Sequence, residues 1–161
     1  MGFKWPRPTG CKPLSLLVDP CSATDREQPQ SNTEADENLK RLQQDLVSQG
    51  VPLRSVPFAL DIFSSNHVGR ATADKVPCLT CSRAKCGGYW ITTVGGLLTN
   101  REMLRLQGLP EHLEAMAAIA GVSDRQLREM IGNAMSMNVL VVLLGQLLPA
   151  MGLARVVVRE P

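Results

Sequence analysis

One short stretch constrains this chain more than any other: Leu98-Thr99-Asn100-Arg101-Glu102-Met103-Leu104-Arg105-Leu106-Gln107-Gly108-Leu109-Pro110. Thr99 is a good N-cap and Glu102 follows three residues later, the spacing of a capping box, so a helix begins here. Met103, Leu104 and Leu106 supply its apolar face, Gly108 ends it, and Pro110 prevents its return. Arg101 and Arg105 are four residues apart and share one face of so short a helix. Such a pair suits forked contacts to carboxylates, carbonyls or phosphates.

More helices are expected after it. His112, Leu113, Met116 and Ile119 repeat at helical spacing and stop at Gly121. Ser123 and Gln126 form a second capping box, opening a helix with Leu127, Met130 and Ile131 on its apolar face and Gly132 at its end. Ser136 can cap a last helix through Leu148, with Pro149 terminating it. No charged residue lies between Gly132 and Ala154. A membrane span needs roughly 20 apolar residues, but Asn133, Ser136, Asn138, Gln146 and Pro149 interrupt this run. We therefore expect a buried helix and no membrane. Little else in the chain could bury it, so it reads as a helix made for a partner.

The first half is less regular. Leu14–Val18 is the only strand candidate before residue 33; the rest of 1–32 reads as loop. Residues 33–49 form a polar helix with Leu39, Leu42 and Leu46 at helical spacing, Thr33 or Ser31 as cap and Gly50 as stop. Residues 51–64 are apolar and β-leaning, but Pro52 and Pro57 reduce them to an edge strand or two short strands. The polar stretch 64–73, with Arg70, suits a phosphate contact or a plain surface loop. Residues 76–98 read as a strand, a turn at Gly87-Gly88, a second strand Tyr89–Val94 and a turn at Gly95-Gly96.

Composition sets few limits. A chain of 161 residues allows one domain with a modest core, and a net charge of +2 neither demands nor excludes nucleic acid. Five cysteines, an odd number, argue for a reducing, intracellular setting (the nucleus, if the source is eukaryotic). The prolines and charges of the first twenty residues do not make a secretory signal. Cys78, Cys81 and Cys86 have a zinc-like beginning, with His67 as a conceivable fourth ligand. They lack the second ligand pair of ordinary zinc sites, so no metal is assigned. A small zinc-stabilised module that binds nucleic acid or protein is the alternative reading. Cys21 and Glu37 receive no role.

Leu-Thr-x-Arg-Glu-x-x-Arg-Leu-Gln-Gly-x-Pro at 98–110 resembles the ninth signature motif of the DNA (cytosine-5)-methyltransferases. About twenty residues on, Ile131-Gly132-Asn133-Ala134-Met135 resembles the tenth. Pro77, Leu79-Thr80, Ser82-Arg83 and Gly87-Gly88-Tyr89 are similar to the end of that family's target-recognition domain. The resemblance implies an α+β fold: a small β-rich recognition segment followed by helices that pack on the family's cofactor-binding α/β sheet. It divides the chain into an irregular region with one polar helix (1–50), a recognition-like segment (51–97), the helices of the last two motifs (98–154) and a tail (155–161).

By the same resemblance, Thr80, Ser82, Arg83, Lys85 and Arg70 would contact DNA, and Asn133, Ala134 and Met135 would form one wall of an S-adenosylmethionine pocket. Arg101, Glu102, Arg105 and Gln107 would brace the recognition segment. The family's enzymes flip a cytosine, attack its C6 with a cysteine thiolate and methylate C5. The Pro-Cys-Gln nucleophile loop and the Gly-rich cofactor loop are absent here. The expected role is that of a C-terminal portion, inactive alone, whose partners are DNA and a separate catalytic half.

Overall fold

The computed structural model describes residues 3, 5–6, 12–20, 26–28, 33–64 and 70–153. Four short antiparallel strands, β1 (Phe58–Leu60), β2 (Ala71–Ala73), β3 (Trp90–Ile91) and β4 (Gly96–Leu97), form one sheet in the order β2-β1-β3-β4. The described residues also form six α-helices: α1 (Thr33–Ser48), α2 (Cys81–Lys85), α3 (Asn100–Gln107), α4 (His112–Ile119), α5 (Asp124–Asn133) and α6 (Met137–Ala150). The architecture is α+β, as the sequence suggested.

Alternation along each strand builds a core on both faces of the sheet. Leu60, Trp90 and Leu97 join Ala35, Leu42 and Leu46 of α1 on one side. Their neighbours Ala59, Ile91 and Leu98 meet Met103 and Leu104 of α3 and Leu127 and Ile131 of α5 on the other. Leu60 and Ile91 are fully buried, each stabilising the fold by roughly 1.5–3 kcal/mol. The helix at 33–48 is therefore amphipathic rather than wholly solvated. Its Asn38 is buried and donates to the Ile62 carbonyl at 3.0 Å. Of the two residues proposed to cap it, Ser31 lies outside the described residues and Thr33 is the first residue of the helix itself.

Several expectations need correction. Leu14–Val18 is not a strand; Leu14–Leu16 is a 3-10 turn. Leu14 and Val18 are both buried while Leu16 is 69% exposed, a pattern four residues apart that an extended chain cannot produce. The apolar run at 51–64 yields β1, an inner strand paired on both sides. Its prolines precede Phe58 and leave the ladder donors intact. The strand expected at 76–86 is instead irregular to Thr80 and then helical, because Thr80 caps α2 by accepting from the Arg83 amide. The second strand shrinks to Trp90–Ile91. At Thr92 the amide still donates to the Phe58 carbonyl at 3.1 Å, but the Thr92 hydroxyl replaces the return bond by accepting from the Phe58 amide and donating to the Val56 carbonyl, both at 3.0 Å.

Gly132 does not end α5, which runs to Asn133, and Met130 is exposed rather than part of the apolar face. Pro149 lies inside the last turn of α6 instead of ending the helix. Ser136 gives that helix no side-chain cap. By length and composition the run Asp124–Ala150 is apolar enough to cross a membrane, but residues 134–136 divide it into α5 and α6. No residue of α6 is buried, and Val139, Val141, Val142 and Leu144 are exposed.

Candidate functional site

Helix α3 forms as its sequence requires. The Thr99 hydroxyl accepts from the Glu102 amide, the Glu102 carboxylate accepts from the Thr99 amide, and Gly108 closes the helix at φ +71°. The last residue of α3 then reaches across to α5. The buried Gln107 carboxamide donates to the Ile131 carbonyl at 3.2 Å and the Ala134 carbonyl at 3.4 Å. These two bonds fix the turn that follows α5. A side chain at 108 would begin 2.6 Å from the Asn138 amide oxygen, so the glycine also lets α6 start close to the end of α3.

Gly132 serves a second close approach. A Cβ placed on it would lie 2.6 Å from the Cys81 Cα and 2.8 Å from the Ala84 Cβ. Its absence lets α2 lie directly on α5, so that the 76–80 segment faces the 134–136 turn. Between them runs a groove of about 490 Å³, lined by Val76–Thr80, Leu106, Gln107, Gly132, Ala134–Ser136 and Val139. The 76–80 side is anchored by Tyr89, whose hydroxyl donates to the Cys78 carbonyl at 2.9 Å. Burial, helped by the nearby Asp61 charge, pushes the Tyr89 phenol up to about 12.

The three residues expected to form the cofactor wall separate here. Ala134 and Met135 line the groove, whereas Asn133 is exposed and does not. The residues expected to touch DNA are partly committed within the molecule. Thr80 caps α2 and lies 3.2 Å from the exposed Ser82 hydroxyl. Arg83 donates to Asp61 at 3.1 Å and to the Phe63 carbonyl at 2.8 Å. Lys85 pairs with Glu129 at 2.9 Å, and its hydrogen bond holds that carboxyl below the usual range. Arg70 is exposed beside β2.

The four residues expected to brace the recognition segment bond to other segments. Arg101 is exposed and pairs with Glu114 of α4 at 2.7 Å. Arg105 donates to the Leu17 carbonyl at 2.8 Å and to the Asp19 carboxylate, and the latter bond holds the guanidinium more firmly charged. Glu102 is fully buried against an equally buried Arg26. Sequence reasoning missed Arg26 altogether: a single arginine in a polar, non-periodic stretch gives no local signal. Among the described residues no three His, Cys, Asp or Glu side chains converge on a point that could hold a metal. Cys78, Cys81 and Cys86 are free thiols, and His67 and Cys21 lie outside the described residues.

The sequence, rather than the geometry, has a relative among known enzymes. Over 155 residues, 94% of its length, the chain is 29% identical to the type II methyltransferase M.HaeII of Haemophilus aegyptius. The chain is related to a methyltransferase. It spans 43% of that relative's length. No protein-family profile matches the chain, and no solved structure matches it.

Proposed function

We propose that this chain is the C-terminal portion of a DNA (cytosine-5)-methyltransferase, working inside the cell with a separate catalytic portion. One observation carries the reading. The 98–110 segment, which resembles the family's ninth motif, is joined through Gln107 to the 131–135 segment that resembles its tenth, and a groove opens beside the joint. The similarity to M.HaeII supports the methyltransferase class and, with it, DNA as substrate.

The groove suits one wall of an S-adenosylmethionine site. About 490 Å³ falls within the range of small-molecule pockets. Leu79, Met135 and Val139 offer apolar surface to a purine or the methionine chain. Thr80 and Gln107 add hydrogen-bonding groups, and the groove carries no fixed charge. When bound, the cofactor supplies an electrophilic methyl group on a sulfonium. What this chain's residues do is narrower. Ala134 and Met135 bound the site, Gln107 holds their backbone, and Val76–Thr80 closes the opposite side. Thr80, Ser82, Lys85 and Arg70 face outward as candidate contacts to phosphate or the groove of DNA. Arg83 supports that surface by holding α2 to Asp61 and Phe63. The open apolar face of α6 would meet the catalytic portion.

The test pairs this chain with the part of M.HaeII that lies outside the matched residues. Labelled methyl groups from S-adenosylmethionine should reach DNA only when both polypeptides are present. The chain alone should transfer none and should form no covalent adduct with DNA containing 5-fluorocytosine. A nuclease-resistant adduct of the chain alone, lost on mutating one of its cysteines, would overturn the proposal.

A further inference from the structure

Besides Asn100 and Arg101, which bond to α5 and α4, three side chains of α3 bond to parts of the chain that bear on the groove. Glu102, in its first turn, takes hydrogen bonds from the Asp19 amide and Arg26 NH2 on Oε1, both at 2.7 Å. Its Oε2 takes two more, from the Thr99 amide at 2.8 Å and Arg26 NH1 at 2.9 Å. Arg105, one turn on, donates to the Leu17 carbonyl and the Asp19 carboxylate. Gln107, at the far end, holds the Ile131 and Ala134 carbonyls that form the groove wall.

Apart from Thr99 and Glu111, the residues that grip the first two of these side chains lie in the segments 12–20 and 26–28, together called the strap. The strap is itself tied down on every side. Asp74 accepts from the Leu14 amide at 2.8 Å. Arg26 NH2 donates to the Asp19 carbonyl at 2.8 Å. The Leu97 amide donates to the Glu27 carbonyl at 3.3 Å. Arg128 of α5 donates to the Glu27 carboxylate.

We infer that Arg26 is a positioning residue for the groove: it fixes α3 through Glu102 and so sets where Gln107 holds the Ile131–Met135 wall. The planar guanidinium matches the Glu102 carboxylate with two parallel bonds, a rigid fit that a lysine cannot copy. Without it the carboxylate is left buried and unbalanced. The grip on the first turn of α3 then weakens, although Arg105 keeps its pair with Glu111 at 2.9 Å and the rest of the strap stays tied, so α3 loosens chiefly where Arg26 held it. The 131–136 turn is the first structure to follow. The functional meaning rests on the groove being the cofactor wall; the coupling itself does not.

Hydrogen exchange on the full chain tests the coupling. Arg26→Met should speed exchange of the 131–136 amides by at least about tenfold relative to those of α1 and β1. Arg26→Lys should restore only part of the difference. Asp19→Asn, which keeps the Arg26–Glu102 pair, should speed the same amides by a smaller factor. Leu46→Ala, in the core on the other face of the sheet, should lower stability while leaving that ratio unchanged. Exchange at 131–136 that merely keeps step with α1 in both Arg26→Met and Asp19→Asn overturns the inference. If Arg26→Met does not fold, Arg26→Lys decides on the same criterion. With S-adenosylmethionine as probe and the part of M.HaeII outside the matched residues also present, the parent chain should be protected at 131–136, and Arg26→Met should bind about tenfold more weakly. No protection of the parent would sink the groove reading alone, and the exchange ratio would still decide the role of Arg26.

Discussion

Helices α3 and α6 make a useful pair. In α3 five residues are buried, and three of them, Asn100, Glu102 and Gln107, are polar. Helix α6 has fourteen residues and no charge, yet none of them is buried. The polar side chains of α3 can be buried because their hydrogen bonds are answered: Asn100 by Asp124 and Arg128, Glu102 by Arg26 and two amides, Gln107 by two carbonyls. The apolar side chains of α6 stay in water because the described residues offer no surface to cover them. Burial in this molecule follows the supply of partners, not the hydrophobicity of the segment.

The sharpest way to break the comparison is at Glu102. Glu102→Ala leaves Arg26 as an uncompensated buried charge and should destabilise the chain by about 3–5 kcal/mol, read from urea unfolding. A near-neutral result would mean that the polar core of α3 is incidental. Arg105→Ala should follow, at about 1.5–3 kcal/mol, with Arg105→Lys intermediate. If Arg105→Ala melts like the parent, its bonds to Leu17 and Asp19 do not brace the fold. Gly132→Ala should be destabilising by about 1–3 kcal/mol although alanine favours helix, because its methyl would press on the Cys81 backbone. A stabilised variant would show that α2 can shift off α5.

Tyr89→Phe removes one hydrogen bond and should lower stability by about 1 kcal/mol at neutral pH. It also carries a pH signature. The folded phenol keeps its proton to about 12, against an ordinary 10.0 in the unfolded chain. Its contribution is therefore complete below pH 10 and is lost as pH rises toward 12. The gap in stability between parent and variant should narrow over that window. A constant gap would remove Tyr89 from the account. The smallest effect on stability should come from α6 itself. Val141→Lys, at a position 63% exposed, should change folding by less than about 0.5 kcal/mol. The parent should self-associate through this face, and the variant should do so visibly less in light scattering. Equal stability loss at Val141 and Glu102 would erase the distinction between the two helices.

What was readable in the sequence was local. The boxes Thr99/Glu102 and Ser123/Gln126 lie within one turn of chain, and both form. Gly108 and Gly121 stop their helices with positive φ. Helix α2 was misread because five residues are too few to show a period and Thr80 has no acidic partner to complete a box. The bracing role of Arg105 was legible as a need for acceptors, but not as a contact with Leu17 and Asp19, 88 and 86 residues away. Gly132 read as a helix stop because its use, a close crossing of two helices, exists only once both are placed. The groove follows from that crossing and was equally invisible, although Ala134 and Met135, which line it, were named.

The strap has a consequence for how the chain is made. Arg26 and Glu102 are 76 residues apart, and Arg128 reaches Glu27 across 101. On a ribosome adding roughly 5–20 residues per second, the strap waits several seconds or more before its partners are synthesised. Closing contacts of such long range is slow compared with forming a capped helix. The core helices and the sheet should therefore collapse first, with the strap laid across them last. Until then Glu102 remains in water and α3 is a polar helix like any other. Its carboxylate becomes a buried charge only in the final step, when the arginine that balances it arrives with it.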